Sequence, residues 1–167
     1  NGGSVTDTFT IAVANTNDAP SISSTAVTAV DEDAAYSYSI TTSDDDSDSS
    51  DSWTITCTTC PSWLSVSHTA GASTATLSGT PLNANVGDNS VVISVADAAS
   101  ATGTQSFTIV VANANDAPTI TSTAVTAATE DAAYTYTVTA ADVDSSDTIT
   151  LTGTTVPSWA TFTASTG

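Results

Sequence analysis

The sequence predicts an all-β protein made of tandem antiparallel β-sandwich modules, and two observations support this prediction. The first is a repeat: the stretch Asn-Asp-Ala-Pro at 17–20 returns 98 positions later at 115–118, and the residues around both copies repeat as well. A period of this length is that of a small domain. The second is hydrophobic patterning, because apolar and polar residues alternate with a period of two almost throughout, and no helical period is visible.

The Asn-Asp-Ala-Pro stretches mark the joints between modules. Proline fixes φ and has no amide proton for a sheet ladder, so one strand ends before each joint and another begins after it. The chain then divides into residues 1–16, the last strand of a preceding module, residues 17–114, a complete β-sandwich module, and residues 115–167, the first half of the next module. We therefore expect this sequence to be a window on a longer array.

Seven short strands, A to G, are predicted in the complete module. Their apolar markers in chain order are Ile22 and Val27 (A), Tyr36, Tyr38 and Ile40 (B), Trp53 and Ile55 (C), Trp63 and Leu64 (D), Leu77 (E), Val91, Ile93 and Val95 (F), and Phe107, Ile109 and Val111 (G). Acidic or polar loops over 31–33, 44–51 and 83–89 separate them. Seven short alternating strands in a domain of this size are typical of a β-sandwich.

The chain is strongly acidic. The chain carries 18 Asp and Glu, no Lys or Arg and one His, while 40% of its residues are apolar. This apolar content indicates a folded chain and not an acidic disordered tail. Nucleic acid is excluded as a partner, because it would be repelled. No run of about 18 apolar residues occurs, so no membrane span is predicted in these residues.

With no basic side chains, the carboxylates must be neutralised by salt or by bound cations. Asp44 and Asp46 of the acidic loop over 44–51 recur as Asp142 and Asp144, whereas Asp45 between them is replaced by valine. Neighbouring carboxylates repel each other unless a cation bridges them, and alternating acids suit Ca²⁺. The recurring pair therefore predicts cation ligands, with a solvated acidic loop as the alternative.

The two cysteines form the motif Cys57-Thr-Thr-Cys60, which the next module lacks because Gly153 and Val156 stand there. A redox centre would need a helix N-terminus in a βαβ context, and two cysteines alone make a poor zinc site. We predict a local disulfide between Cys57 and Cys60, with two buried thiols as the alternative.

Three motifs occur in a recognisable order: Pro-Ser-Trp-Leu at 61–64, Leu-Ser-Gly-Thr-Pro at 77–81, and Asn-Asp-Ala-Pro at the joints. Together they resemble the dystroglycan-type cadherin-like domains found in long arrays in bacterial surface adhesins. The resemblance covers the whole chain and implies tandem Ig-like, cadherin-like sandwiches with calcium bound between them. In place of the cadherin joint Asp-x-Asn-Asp-Asn, this chain has Asn-Thr-Asn-Asp at 15–18 and Asn-Ala-Asn-Asp at 113–116.

Topology assigns the candidate ligands to two joints. Successive loops of such a sandwich lie at alternate ends, so the A–B and E–F loops meet the following linker, and the B–C and F–G loops meet the preceding one. At the complete joint we expect a calcium site formed by Glu32, Asp88, Asn115, Asp116, Asp142 and Asp144. At the preceding joint we expect Asn17, Asp18, Asp44, Asp46 and Asp97 to act in the same way.

The function predicted from these features is structural. We expect a non-enzymatic stalk of an adhesin, or the body of an extracellular fibre, at the cell surface or outside it, with joints made rigid by calcium. Its partners would be neighbouring modules of the same chain, and lateral or end-to-end self-association is open. The alternative is a carbohydrate-binding adhesion module with a glycan partner. No catalytic set can be drawn around the single histidine, His68.

Overall fold

The computed structural model describes residues 1–46 and 52–164. The complete module contains the strands β1 (Ser21–Ile22), β2 (Ala29–Asp31), β3 (Tyr36–Ser43), β4 (Thr54–Thr59), β5 (Leu64–His68), β6 (Thr74–Gly79), β7 (Gly87–Ala96) and β8 (Thr102–Ala112), with a 3-10 turn at Asn83–Asn85. The acidic loop predicted over 44–51 is described only up to Asp46. Its other acids, Asp48 and Asp51, lie outside the described residues.

The strands form two four-stranded sheets packed face to face. One sheet has the order β1-β3-β6-β5 and the other β2-β8-β7-β4. In the predicted lettering these are A-B-E-D and A′-G-F-C, which is the arrangement of an immunoglobulin sandwich. The prediction of an all-β, Ig-like sandwich is thus confirmed.

Strand A differs from the single strand predicted, because it is split between the two sheets. β1 pairs antiparallel with β3, whereas β2 pairs parallel with β8, so the second sheet is mixed and not purely antiparallel. Between the two pieces the backbone crosses the edge of the sandwich. Its carbonyls accept hydrogen bonds from side chains there: Tyr36 Oη donates to Val27 O at 2.8 Å and Gln105 Nε2 to Ser24 O at 2.8 Å. These bonds satisfy groups that would otherwise lack a ladder partner.

Alternate residues of each long strand build the core between the sheets. On β3, buried Tyr36, Tyr38 and Ile40 alternate with exposed serines, as a period of two requires. Trp53 is buried, whereas Trp63 packs at the edge of the core, where its indole N–H donates to Asn89 Oδ1 at 3.0 Å. The buried core comprises Tyr36, Tyr38, Ile40, Trp53, Ile55, Leu64, Ala75, Leu77, Val91, Ile93, Val95, Ile109 and Val111.

Acidic residues are nearly absent from the sheets and concentrate at the two ends of the module. Of the strand residues in the described part of the chain, only Asp31 and Asp88 are acidic. Ser and Thr dominate the outer faces. The negative charge therefore lies mainly where modules meet.

The remaining segments repeat parts of the complete module without its full surroundings. In residues 115–167, β9 (Thr119–Ile120) pairs antiparallel with β10 (Ala140–Ala141), repeating the contact of β1 with β3. Trp159 there stacks edge-to-face on Tyr134 but is 65% exposed. The division at 1–16, 17–114 and 115–167 stays a prediction. No helix in the described ranges is long and apolar enough to cross a membrane.

Candidate metal centre at the module joint

Glu32 fastens the end of the complete module to the linker that follows it. β2 runs beside the end of β8, and the ladder continues past it, because Glu32 N donates to Ala112 O at 2.9 Å. The side chain then bends over the linker, where its Oε1 accepts a hydrogen bond from Ala114 N at 2.9 Å. Glu32 therefore joins the A–B corner to the first residues of the joint.

The second oxygen of this carboxylate has no partner. Glu32 is only 2% exposed, and Oε2 is buried without a hydrogen bond from any described residue. A buried carboxylate oxygen costs free energy unless a donor or a cation meets it. Glu130, which repeats Glu32 in the next module, is exposed.

The next module approaches the same linker through its own B–C loop. Asp116 N donates to Asp144 Oδ2 at 2.6 Å, and Asp144 N donates to Asp142 Oδ1 at 3.1 Å. From the complete module, Asn83 Nδ2 reaches Asp144 Oδ1 at 3.4 Å. Asp144 is 5% exposed as a result, whereas its counterpart Asp46, at the other end of the complete module, is half-buried.

Neighbouring acids affect the pKa of Asp116. Partial desolvation raises the pKa of Asp116, and the negative charges of Asp33, Asp144 and Asp142 raise it further. Like charges disfavour ionisation in this way. The chain has no Lys or Arg to offset these negative charges.

The preceding joint repeats the linker half of this arrangement. Asp18 N donates to the carboxylate of Asp46, and Asp46 N donates to Asp44 Oδ1 at 3.1 Å. Asn17 Nδ2 donates to Asp97 Oδ2 at 2.9 Å, and this hydrogen bond is the main reason that the pKa of Asp97 is lowered. The five residues predicted for this joint form one connected set around the linker.

At the complete joint the structure brings together five of the six predicted residues. Glu32 contacts the linker at Ala114, and backbone hydrogen bonds link Asp116 to Asp144 and Asp144 to Asp142. The Asn115 side chain donates to Asp116 O at 2.7 Å within the linker. Asp88 is the exception. It lies exposed on the outer face of β7, opposite Val110, and in the described ranges its carboxylate accepts no hydrogen bond from the joint.

Two residues at this joint were not among the predicted ligands. Asn83 belongs to the 3-10 turn, and no repeat of it exists in the chain to draw attention to it. Asp33 follows Glu32 directly and recurs as Asp131, so comparison of the repeats could have identified it.

The donors fit a cation that prefers oxygen, although they do not close around one point. Carboxylates and amide oxygens are the ligands of Ca²⁺, and the buried Glu32 Oε2 is free to take one. Within residues 1–46 and 52–164, no three His, Cys, Asp or Glu side chains are spaced as a ready-made metal site. Any ion bound here would have to draw the carboxylates together.

Cys57 lies near the end of β4, and the exposed Cys60 directly follows the strand. The structure joins Cys57 and Cys60 in a disulfide with a Cα–Cα distance of 5.6 Å. The pairing of β4 with β7 shifts register between Cys57 and Thr59. The bridge therefore closes a local irregularity at the end of β4.

Comparison with known families agrees with the fold. The model of the He_PIG family, whose description is Putative Ig domain, matches residues 19–112 and again residues 117–167. The chain therefore belongs to this family of Ig domains. The family is Ig-like in general, and the narrower resemblance to dystroglycan-type cadherin-like domains stays a prediction. A search of curated proteins gives no match.

Parts of several solved structures resemble this chain. An endo-fucoidan hydrolase of glycoside hydrolase family 107 is 30% identical with a TM-score of 0.49, over 57% of this chain and 14% of that one. The SrpA adhesin from Streptococcus sanguinis is 19% identical with a TM-score of 0.48, over 65% and 66% of the two chains. Titin domains Z1Z2, solved with telethonin, are 13% identical with a TM-score of 0.44, over 64% and 54%. The chain thus spans about one seventh of the length of the hydrolase.

Proposed function

We propose that this chain is part of an extracellular structural array of Ig-like modules whose joints are stiffened by bound calcium. The observation that carries the proposal is the unpartnered, buried Oε2 of Glu32 beside a linker that is surrounded by carboxylates. A site of this kind needs a positive charge, and the chain has no basic side chain to supply one.

Calcium is the cation that suits the donors best. It takes about six to eight oxygen ligands at roughly 2.3–2.6 Å in flexible geometry, whereas Mg²⁺ demands a near-ideal octahedron. The carboxylates of Glu32, Asp116, Asp142 and Asp144 come from three separate segments, so their positions can adapt to a large ion more readily than to a small one. Asn115 Oδ1 and backbone carbonyls can complete the shell.

Bound calcium would act as a brace between modules. Glu32 belongs to the complete module, Asp116 to the linker, and Asp142 and Asp144 to the next module, so one cluster of ligands spans all three. Two hydrogen bonds, from Ala114 N to Glu32 and from Asp116 N to Asp144, already align these parts. The ion would remove the repulsion between the carboxylates and resist bending, whereas without it we expect the joint to swivel.

An extracellular location fits this role. Disulfides such as Cys57–Cys60 persist in oxidising compartments, and free calcium is abundant enough there to hold weak sites. The net charge of −18 also disfavours anionic surfaces and nucleic acid as partners.

The test compares the chain with and without calcium by thermal unfolding and small-angle X-ray scattering. We expect calcium to raise the melting temperature and to narrow the distribution of interatomic distances. Asp144→Asn, which keeps an acceptor for Asp116 N but removes the charge, should weaken both effects. The matched control is Asp45→Asn, which removes one charge from an exposed position. Unchanged melting and scattering of the native chain after chelation would refute the proposal.

The carbohydrate-binding alternative has no specific site among the described residues of the complete module. Its tryptophans, Trp53 and Trp63, are buried in the core or packed against it. The exposed aromatic side chains Phe9 and Trp159 belong to segments that repeat core strands. Binding of the chain to a glycan array would favour this alternative.

A further inference from the structure

We infer that strand β5 is a docking edge for a second copy of this chain, whose own β5 pairs with it antiparallel and extends one sheet across both sandwiches. The inference goes beyond the calcium joint and does not depend on it. Three features of the module carry it: an unprotected sheet edge whose backbone groups point outward, the absence of acids on that side, and a side-chain pattern that complements itself.

Of the four edge strands in the described part of the sandwich, β5 is the least protected. β1 and β2 have only two and three residues, and β2 ends in Asp31. β4 shifts register between Cys57 and Thr59, where the disulfide lies. Short strands, acids and bulges keep an edge from pairing with other chains. β5 has no acid, proline or register shift, so it remains open to another strand.

The backbone of β5 presents hydrogen-bonding groups outward at Val66. In an antiparallel ladder, the groups of successive residues point alternately to the two sides of the strand. Next to the β3–β6 ladder, Thr42 N donates to Ser73 O at 3.0 Å, so the odd-numbered residues of β6 bond to β3 and the even-numbered ones to β5. The β5 residues paired with the latter are Ser65 and Ser67. The N–H and C=O of Val66 therefore point away from β6, and no described strand pairs with β5 on that side.

Negative charge is missing from the part of the sequence that forms this side of the module. Residues 52–87, which span β4, β5 and β6, contain no Asp or Glu, and no other stretch of the chain is as long without one. Residues 148–167, which contain the repeats of strands C and D in the next module, also lack acids. Two chains that each carry a net charge of −18 repel each other, and the repulsion is weakest where both surfaces lack acids. A second copy therefore approaches most easily at this side.

The side chains of β5 match themselves when two copies pair antiparallel about Val66. Ser65 of one copy then lies opposite Ser67 of the other, and the two Val66 residues lie opposite each other. Opposite residues share a face of the sheet, so the exposed serines meet on the outer face, and half-buried Val66 is covered on the inner one. This two-fold pairing is isologous and places neighbouring arrays side by side in opposite directions.

The experiment is sedimentation equilibrium of the full chain in chelator at about 0.15 M ionic strength, where the Debye length is about 8 Å. Distant acids are then screened, whereas side chains opposite each other in a ladder, about 5 Å apart, are not. We expect weak, reversible dimers, because one strand pair buries little surface. Ser65→Glu combined with Ser67→Glu brings like charges together across the pair, so the dissociation constant should rise at least about tenfold.

The matched control is Ser37→Glu combined with Ser39→Glu. It adds the same two charges at exposed serines of the same sheet, on the central strand β3, and should associate like the native chain. Amide hydrogen exchange followed by NMR gives a second readout that needs no variant. Concentrating the native chain should slow exchange at Val66, whose N–H points outward, and leave exchange at Ser65 and Ser67 unchanged because β6 already protects them.

A native chain that stays monomeric at every concentration would overturn this inference and leave the calcium joint untouched, since chelator is present throughout. The inference also fails if both Glu variants lose association equally, because added charge and not the β5 edge is then responsible. Association that neither variant changes, without slower exchange at Val66, would place the contact on another surface. Slower exchange at Val66 only after an unrelated extended peptide is added would assign the edge to that peptide and not to a second copy.

Discussion

Replacing Glu32 by glutamine should stabilise the chain when calcium is absent and destabilise it when calcium is bound. The amide oxygen can still accept the hydrogen bond from Ala114 N, so the link between the corner and the linker is retained. The amide nitrogen takes the place of the unpartnered Oε2 and is uncharged, so it costs less free energy to bury than the carboxylate oxygen. The substitution therefore removes a buried negative charge without removing the side chain's volume.

The size of the effect follows from the burial of this group. Leaving a buried polar atom unpaired costs about 1–3 kcal/mol, and more when the group is charged. In chelator we therefore expect Glu32→Gln to raise the free energy of unfolding by about 1 kcal/mol or more, equivalent to about 4–8 °C for a domain of this size. With calcium at about 100 times its dissociation constant, the native chain gains about 2.7 kcal/mol. The variant forfeits most of that gain and becomes the less stable of the two.

The assay is thermal or urea unfolding of both chains in chelator and in excess calcium. Glu130→Gln is the matched control, because Glu130 is the exposed repeat of Glu32. In neither condition should it change the free energy of unfolding by more than about 0.5 kcal/mol. If Glu32→Gln destabilises the chain equally with and without calcium, Glu32 holds the linker by hydrogen bonding alone and is not an ion ligand.

Three further predictions concern the body of the module. Replacing both Cys57 and Cys60 by serine should leave the fold intact and lower the free energy of unfolding by at most about 2 kcal/mol, because the loop is short; loss of the folded state on urea titration would contradict this. An added Cβ at Gly79 would overlap the carbonyl of Trp63, so Gly79→Ala should destabilise the module by about 1–3 kcal/mol, and an unchanged denaturation midpoint would show that the loop yields. Burial raises the pKa of Tyr36 to about 12, so its stabilising effect is complete below pH 10 and is lost as the pH rises towards 12; ultraviolet titration of the folded chain showing every tyrosine ionising near pH 10 would refute this.

The strands of the sandwich were predictable because apolar and polar residues alternate along each of them. Tyr36, Tyr38 and Ile40 alternate with serines and occupy buried positions of β3, as the pattern required. The division of strand A was not predictable in this way. The division depends on the free edges of β3 and β8, with which β1 and β2 pair. Those edges exist only in the assembled module.

The candidate site shows the same limit. Repetition of Asp-x-Asp identified Asp142 and Asp144, because a spacing of two places both carboxylates on one loop. Asp88 was assigned to a loop, but β7 begins at Gly87, and the strand turns its side chain outward. The contact of Asn83 with Asp144 spans two modules, so no local pattern could have indicated it.

The parallel pairing of β2 with β8 has a mechanical consequence for a chain of such modules. Both strands run from the preceding joint towards the following one, and the load on a stretched array enters before β1 and leaves after β8. Tension therefore slides β2 and β8 past each other, and their ladder bonds, including Val110 N to Thr28 O and Glu32 N to Ala112 O, share the load at the same moment. Bonds loaded in this manner must break together, whereas a hairpin pulled from one end opens one bond at a time. Each module would then hold its length under tension until it yields in a single step.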